Sequence, residues 1–565
     1  MKIPMDNFAF SASETLLFIG AGATAKLNMP TTDQQGGILR SLCHKDEIAA
    51  SDLSKFPCFH GMESDVCDLL NILNYTPDTE FSLTGTQSRA AKQCFPDASE
   101  QKRFNRVMTL RRQYDWPTLK TVAKIKYNAE REFTQSVFTL IDACLREERG
   151  FVFEQQFVPA EKLRAARELY ILLINTMFAC AWQQLCHDPQ GHARLEPYIR
   201  FTETLADMMC REGKNFCRHF ADNQRGFYLF SYAMLTTNFD PVFLWLTWQA
   251  HRKLNREKRY GIGSPNRLLQ LFLDFPNTLA MREPAEKGGV INEKIWYPIS
   301  EAAAQKLNDP GHLSDRTIRL GKYYAVHGCS CFRHCPVCGR LNLHSGDSWD
   351  LYSGSVFPPG PTQKLAWNIQ ARNAQEAEAH RRGEYDALKC HFCGNLTYAD
   401  DNCMFMQSKL KTSSPSFIKE ITDEAIAAIT KAKHIVLLGY SLPPDDAIWG
   451  AVLSAMTAGN PDHAPYCSVV CGYTGPQKWL WGKELDEYIN TVGKRKDKDA
   501  SGLIPIQNAI DVFGRDRVRA YTGGIPQVFE NGTETAVREL LYAPEWIPQK
   551  IFERQSQPSH RKRKS

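Results

Sequence analysis

Cys335 and Cys338 form one CxxC pair, and Cys390 and Cys393 form a second, beyond a long spacer. A two-residue gap lets both sulfurs of a pair face one ion, so two such pairs can supply four thiolates about 2.3 Å from a tetrahedral zinc. Four protein ligands leave no position for an activated water, so the zinc this spacing predicts is structural. Reduced thiols without metal, redox chemistry and an iron-sulfur cluster are the competing readings. Cys329, Cys331 and Cys403 are surplus, and any of them could take the place of one of the four.

A second chemistry is suggested near the start. "ETLLFIGAGATA" reads as a short apolar strand, Leu16 to Ile19, that breaks into a glycine turn at Gly20 and Gly22 and then enters a helix. Backbone N–H groups around Gly20 to Thr24 could approach a pyrophosphate there; a tight turn without a ligand gives the same pattern. No second strand ends in an acidic residue about twenty positions on, as an ordinary dinucleotide oxidoreductase needs. No GxxxxGK[ST] motif surrounds the turn, so an ATPase has little support. "TTNFD" (236–240), "VHG" (326–328) and "GYSLPPDD" (439–446) place Thr, Asn, Asp, His and Ser at successive predicted strand ends, where α/β proteins position ligand groups. Taken singly, Asn238 and Asp240 could be Asx-turn residues, and His327 a structural or zinc-adjacent histidine.

These segments need a scaffold, and 565 residues with 43% hydrophobic composition can build a large core of more than one unit. The expected fold class is α/β: a Rossmann-like parallel-sheet domain with a large helical insertion and a small zinc-binding module. Residues 1–39 begin the α/β domain and 40–225 form the helical insertion. Residues 226–325 return to the sheet, 326–410 form the zinc module, 411–545 complete the α/β domain with flanking elements, and 546–565 are a basic tail. Within the insertion, Phe133, Val137, Phe138, Ile141, Cys144 and Leu145 recur at helical spacing. "YILLINTMFACAW" (170–182) is too short and polar for a membrane span and reads as a buried helix.

The opening residues show no basic segment, apolar run and cleavage site, so the expected location is cytoplasmic, with reduced thiols and no membrane partner. Net charge is +5, from 68 basic and 63 acidic side chains. That gives no bulk argument for nucleic acid, and direct contact with it rests on "HRKRK" (560–564) alone, which reads equally as a solubilising terminus.

Taken in order, "GAGATAKLNMP" (20–30), "TTNFD", "VHG", the two CxxC pairs and "LLGYSLPPDD" (437–446) resemble the signature segments of the SIR2, or sirtuin, family. That resemblance covers discrete pieces of residues 10–475 and implies NAD held between a Rossmann-like domain and a smaller zinc and helical module. It implies that Gly20, Ala21, Gly22 and Thr24 form the phosphate-side turn. Asn28 to Pro30 then match a glycine-x-proline region on the nicotinamide side, with Asn28 in place of the usual glycine. Asp33 corresponds to the aspartate after that proline, displaced by two threonines. Thr237, Asn238 and Asp240 match the segment that fixes the nicotinamide ribose and carboxamide pocket, and His327 matches the histidine that serves as base. Gly439 and Ser441 match the adenosine-ribose side.

Two acceptors compete in such a site: water, giving NAD hydrolysis, or an acyl-lysine oxygen, giving deacylation. Deacylase members place a phenylalanine-glycine-glutamate segment after the second cysteine pair, where this chain reads "CMFMQSKLKTSSPSFIKE" (403–420). With the large insertion, this looks more like bacterial SIR2-like effectors that degrade NAD in antiviral defence. The expectation is an NAD+ glycohydrolase with NAD as substrate and structural Zn2+, gated by homo-oligomerisation or a protein partner. Protein deacylation or ADP-ribosyl transfer, and noncatalytic NAD or ADP-ribose sensing, are the alternatives.

Overall fold

The run Thr15–Ile19 has every side chain buried. Such a continuous apolar strand suits the middle of a parallel sheet covered on both faces, and that is where it lies. The computed structural model describes residues 15–74, 83, 85–125, 133–153, 155–217, 226–256, 270–274, 279–282, 293–296, 317–344, 371, 373–384, 386–390, 393–404, 416–444, 446–457, 464–472, 475–493 and 502–542. The chain is a mixed α/β protein whose main sheet has eight strands among the described residues. In chain order these are β1 (Thr15–Ile19), β2 (Gly226–Thr236), β3 (Gln270–Asp274), β4 (Thr317–Ala325), β5 (His434–Leu438), β6 (Tyr466–Val470), β7 (Trp479–Leu480) and β8 (Val518–Tyr521).

Their spatial order is β7-β8-β6-β5-β1-β2-β4-β3. Every pairing is parallel except β7 with β8. From β1 the chain builds outward through β2 to β4 and β3, then returns to the other side of β1 and builds outward through β5, β6 and β8. The direction of winding therefore reverses between β1 and β5. Register makes the ends level: Ile19 pairs with Thr236 and with Leu438, Thr236 with Ala325, and Leu438 with Val470. Five strands thus release their following turns at one edge.

Between β1 and β2 the described part of residues 40–225 is helical apart from one hairpin, Phe151–Phe153 with Gln156–Val158. The apolar stretch 170–182 lies in a longer helix than its own length suggested, Ala160–His187. That helix is long and apolar enough to cross a membrane, but its most apolar window is 83% buried in the fold. The next helix, Pro189–Cys217, reaches the sheet edge through Tyr198, whose hydroxyl donates to Ala23 O at 2.9 Å. Tyr198 also meets Phe243 and Phe529 edge-on.

A second sheet orders five strands as Asn402–Met404, Gly328–His334, Leu341–Leu343, Leu279–Arg282 and Glu293–Trp296. The last two come from residues 226–325, which the sequence reading gave wholly to the main domain. The small sheet therefore borrows strands from that region, a pairing between distant segments that no local pattern encodes. The tail, 546–565, lies outside the described residues, as does the stretch 405–415 that was compared with deacylases.

Candidate functional site

The edge where β1, β2, β4 and β5 end gathers most of the residues singled out from sequence. The glycine turn after β1 packs directly on the turn after β5. Gly20 N donates to Leu438 O at 2.9 Å, Gly22 N to Gly439 O at 3.0 Å, and Ala23 N to Gly20 O at 2.9 Å. A Cβ on Gly439 would stand 2.2 Å from Ala23 N, and one on Gly20 2.5 Å from Gly439 O. Gly439 also has φ +58°, so glycine is required there on two counts. This corrects one expectation. The Gly20, Gly22 and Ala23 N–H groups are committed to carbonyls, and these glycines serve the close approach of two strand ends.

"TTNFD" is fastened to the same turn. Thr236 Oγ1 donates to Ile19 O at 3.1 Å and accepts from Asn238 N at 3.0 Å, while Asn238 Nδ2 donates to Gly20 O at 3.0 Å. Thr237 N reaches Ile19 O at 3.4 Å. Asp240 uses one carboxylate oxygen in an Asx-type contact from Val242 N, 3.2 Å, at the start of helix Val242–Arg256. Its other oxygen accepts from Thr24 Oγ1 at 3.0 Å. Burial pushes the Asp240 carboxyl up to about 6, opposed by its hydrogen bonds from Val242, Thr24 and Asn238. A buried acid held near neutrality at a strand end is a common mark of a working site.

His327 sits in the two-residue link between β4 and the strand Gly328–His334 that opens the small sheet. Val326 N donates to Thr236 O at 3.2 Å and Ser330 N to Phe239 O at 2.8 Å, tying this link to the Asn238 loop. His327 is buried, and its imidazole lies against Phe239, with centroids 6.4 Å apart. Gly328 has φ +74°, and a Cβ there would stand 1.8 Å from Cys403 O, so the bend that aims His327 depends on glycine. Gly20, Asn238 and His327 thus belong to one edge.

The remaining residues are placed less uniformly. Asn28 has φ +62°, the left-handed conformation that asparagine tolerates best after glycine. Pro30 is buried, and its carbonyl accepts from Gln35 Nε2 at 3.0 Å. Ser441 is half-buried, and its carbonyl accepts from Asn508 Nδ2 at 2.8 Å. Asp33 is exposed in the first turn of helix Thr32–Cys43, and no described contact joins it to Asn238 or His327. Sequence reasoning passed over Asp446, which caps the helix Ala447–Thr457 and brings a carboxylate oxygen to 4.0 Å from His327 Nε2. Its only sequence signal was a polar residue before a helix.

The four expected metal ligands converge. Cys335, Cys338, Cys390 and Cys393 place their sulfurs within 4.8 Å of one another. Cys335 and Cys393 are 3.5 Å apart and Cys338 and Cys390 3.7 Å apart. Thiolates about 2.3 Å from a tetrahedral ion sit about 3.8 Å from each other, so the cluster could hold a structural metal such as zinc. Each pair sits on a tight turn closed by Gly339 N to Cys335 O and Gly394 N to Cys390 O, with φ +69° and +79° at the glycines. Asn342 and Asn395 amides donate to the Cys390 and Cys393 sulfurs at 3.4 and 3.3 Å. The Asn395 side chain and its backbone N–H draw Cys393 down to about 6. Buried Arg333 joins the two halves, donating to Asp386 O and Thr397 O at 2.7 and 3.2 Å. Cys329 and Cys331 pair with each other at 3.3 Å, and Cys403 lies opposite Cys329 in the small sheet. None of the three joins the cluster.

No family model matches the chain, and no curated protein matches it.

Proposed function

We propose that the chain is a SIR2-like NAD+ glycohydrolase, cleaving NAD+ with water to nicotinamide and ADP-ribose. The observation that carries this reading is the convergence of the Gly20 turn, Asn238 and His327 where the strand order reverses beside β1. Doubly wound sheets bind ligands in that crevice. Leaving aside the edge strands β3 and β7, the order β4-β2-β1-β5-β6-β8 is the one Rossmann-like dinucleotide domains use. The ordered SIR2-like motifs add substrate and reaction class. With three glycine-turn N–H groups committed internally, phosphate contacts fall to the rest of the Ala21–Thr24 turn and to the Ser441 segment.

In this reaction the C1′–N1 bond of the nicotinamide ribose breaks, with its electron pair leaving on the nicotinamide nitrogen. Positive charge develops at C1′ and the ring oxygen, and water adds its oxygen to C1′. Asn238, held through Gly20 O, orients the ribose and the incoming water, and His327 accepts the proton released as water adds. Buried Asp240, fixed by Thr24, borders the carboxamide side. In this reading the metal cluster contributes no chemistry and braces the strand that follows His327. A resemblance to antiviral NAD-degrading effectors makes gating by oligomerisation or a protein partner part of the proposal.

The test is a product assay on the full chain with NAD, dilute and concentrated, alone and with candidate partners. Free ADP-ribose forming without peptide is expected, and Asn238→Ala and His327→Ala should each lower nicotinamide release by at least about 100-fold. Undiminished release in both variants removes the assignment. Product formation only with an acylated peptide makes the chain a deacylase, and NAD binding without nicotinamide release, native partner present, makes it a sensor.

A further inference from the structure

His327 Nε2 lies 4.0 Å from Asp446 Oδ1, and both side chains are 7% exposed. Asp446 is held on two other sides. Its Oδ2 accepts from the Tyr440 hydroxyl at 2.9 Å, and its Oδ1 accepts from Ile448 N at 3.1 Å. Tyr440 is itself fixed edge-on to Phe18 of β1, with centroids 6.2 Å apart. The carboxylate therefore has one orientation, and that orientation presents an oxygen from the loop after β5 to the imidazole in the link after β4.

Capping alone would explain an aspartate here, because Asp is a strong N-cap residue. It does not explain why the cap is turned toward a buried histidine and braced by a tyrosine. A carboxylate near one ring nitrogen favours a proton on that nitrogen and stabilises the charged ring. The separation of 4.0 Å is an ion-pair distance. A contraction of about 1 Å would make it a hydrogen bond, the kind of tightening that substrate binding produces in catalytic pairs.

We propose that Asp446 is a positioning residue for His327: its carboxylate holds the imidazole with Nε2 protonated and leaves Nδ1 as the nitrogen that takes the proton from water. The reaction part of this assignment rests on the NAD hydrolase reading; the pairing itself does not. Among the described residues, the other titratable groups at this end of the sheet include Asp240 from the loop after β2, Tyr440 from the loop after β5 and, along His327's own chain, Tyr323, Cys329 and Cys331. Tyr323 interacts electrostatically with Cys329, Asp240 and Cys331. Of these acids, Asp446 is the one that the structure brings to ion-pair distance from the ring.

Asp446→Asn separates the two roles, since asparagine still caps the helix through its Oδ1 and can donate its Nδ2 to the Tyr440 oxygen, but carries no charge. The first measurement needs no substrate: histidine-selective 15N NMR on the full chain, with the His327 ring signals assigned by their loss in His327→Gln. The wild type should show the Nε2-protonated tautomer, and Asp446→Asn should lower the His327 pKa by about one unit or more. Identical tautomer and titration in the two proteins overturn the pairing, whatever NAD does. The second measurement is the pH profile of NAD turnover. Asp446→Asn should cut kcat by about 10- to 100-fold with KM unchanged, and should move the acid limb of kcat/KM to lower pH by the shift that NMR records. Lost turnover with an unmoved acid limb marks a purely structural aspartate and overturns the proposal. Asp446→Ala, which also removes the cap, should match Asp446→Asn in pH profile while melting at a lower temperature. A wild type that releases no nicotinamide under any condition defeats the hydrolase reading and leaves the NMR comparison to decide the pairing.

Discussion

Two buried polar clusters, each built on a histidine, occupy opposite sides of the same sheet, and they differ in where their hydrogen bonds go. Toward the amino-terminal ends of the strands, His434 Nδ1 lies 2.8 Å from Leu541 O and Nε2 lies 2.7 Å from Ser468 Oγ. The carbonyl can only accept, so Nδ1 carries the proton and Ser468 donates to Nε2. Ser468 Oγ accepts in turn from Arg519 Nε at 2.7 Å, and Arg519 Nη2 donates to Glu539 O at 2.6 Å. The guanidinium also stacks 3.8 Å over the Trp479 ring. Each link ends on the protein itself and ties the helix Glu534–Tyr542 to the strands. At the carboxyl-terminal ends, Asn238, Asp240, His327 and Asp446 hang from turns between elements, and their mutual spacing leaves ion-pair distance where the other cluster has closed bonds. A buried histidine is therefore a poor guide to function until its position along the strand direction is known.

The sharpest way to break this contrast is to exchange stability and activity as readouts. Arg519→Leu leaves Ser468 and the Glu539 carbonyl without their buried donor and should destabilise the fold by about 3–5 kcal/mol. Nicotinamide release per folded molecule should stay near wild type. Chemical denaturation beside a product assay checks this, and a stable variant with lost turnover would reverse the assignment of the two clusters.

The metal cluster tests the contrast from the carboxyl-terminal side, because the strand Gly328–His334 runs from His327 to Cys335. Elemental analysis should find about one zinc per chain. Cys390→Ser should lose it, lower turnover and loosen exchange protection in the small sheet, while amides around His434 stay protected. A folded, active preparation without metal would remove the structural assignment.

The smallest effect is one of pH. Burial first, and then the Arg519 charge, hold His434 down to about 3. A histidine whose folded pKa lies below its unfolded value contributes stability that is complete above about pH 6.5. That contribution is lost as pH falls from there toward about 3, because the unfolded chain takes up the proton first. Urea unfolding at pH 7 and pH 5 should show a fall of up to about 1 kcal/mol per pH unit from this group. The fall should shrink in His434→Gln. Equal slopes in both proteins would show that His434 does not titrate this way.

Local signals made the carboxyl-terminal side easier to read than the amino-terminal one. "TLLFI" announces a central strand by its unbroken apolar run, and each CxxC pair declares its own turn. Both depend on neighbours in sequence. The Arg519 cluster was not legible because "RVRAY" reads as an alternating strand, and the serine, histidine and carbonyls that receive Arg519 come from elsewhere. Asp446 was hidden for a related reason: its capping role is local, but the histidine it faces is on another strand. The glycine turn was legible as a turn, whereas the use of its N–H groups was not, since Gly20 and Gly22 donate to Leu438 and Gly439, more than four hundred residues away. Borrowing of Leu279–Arg282 and Glu293–Trp296 by the small sheet escaped notice in the same way.

The bonds from Gly20 and Gly22 to Leu438 and Gly439 carry a consequence for biosynthesis. Translation delivers the second of these turns more than four hundred residues after the first. During that interval the turn after β1 can close against Thr236 and Asn238, but Gly20 N and Gly22 N lack the carbonyls they donate to in the full fold. A prematurely terminated product is in the same position. A copy cut short before β5 therefore cannot assemble this edge of the sheet.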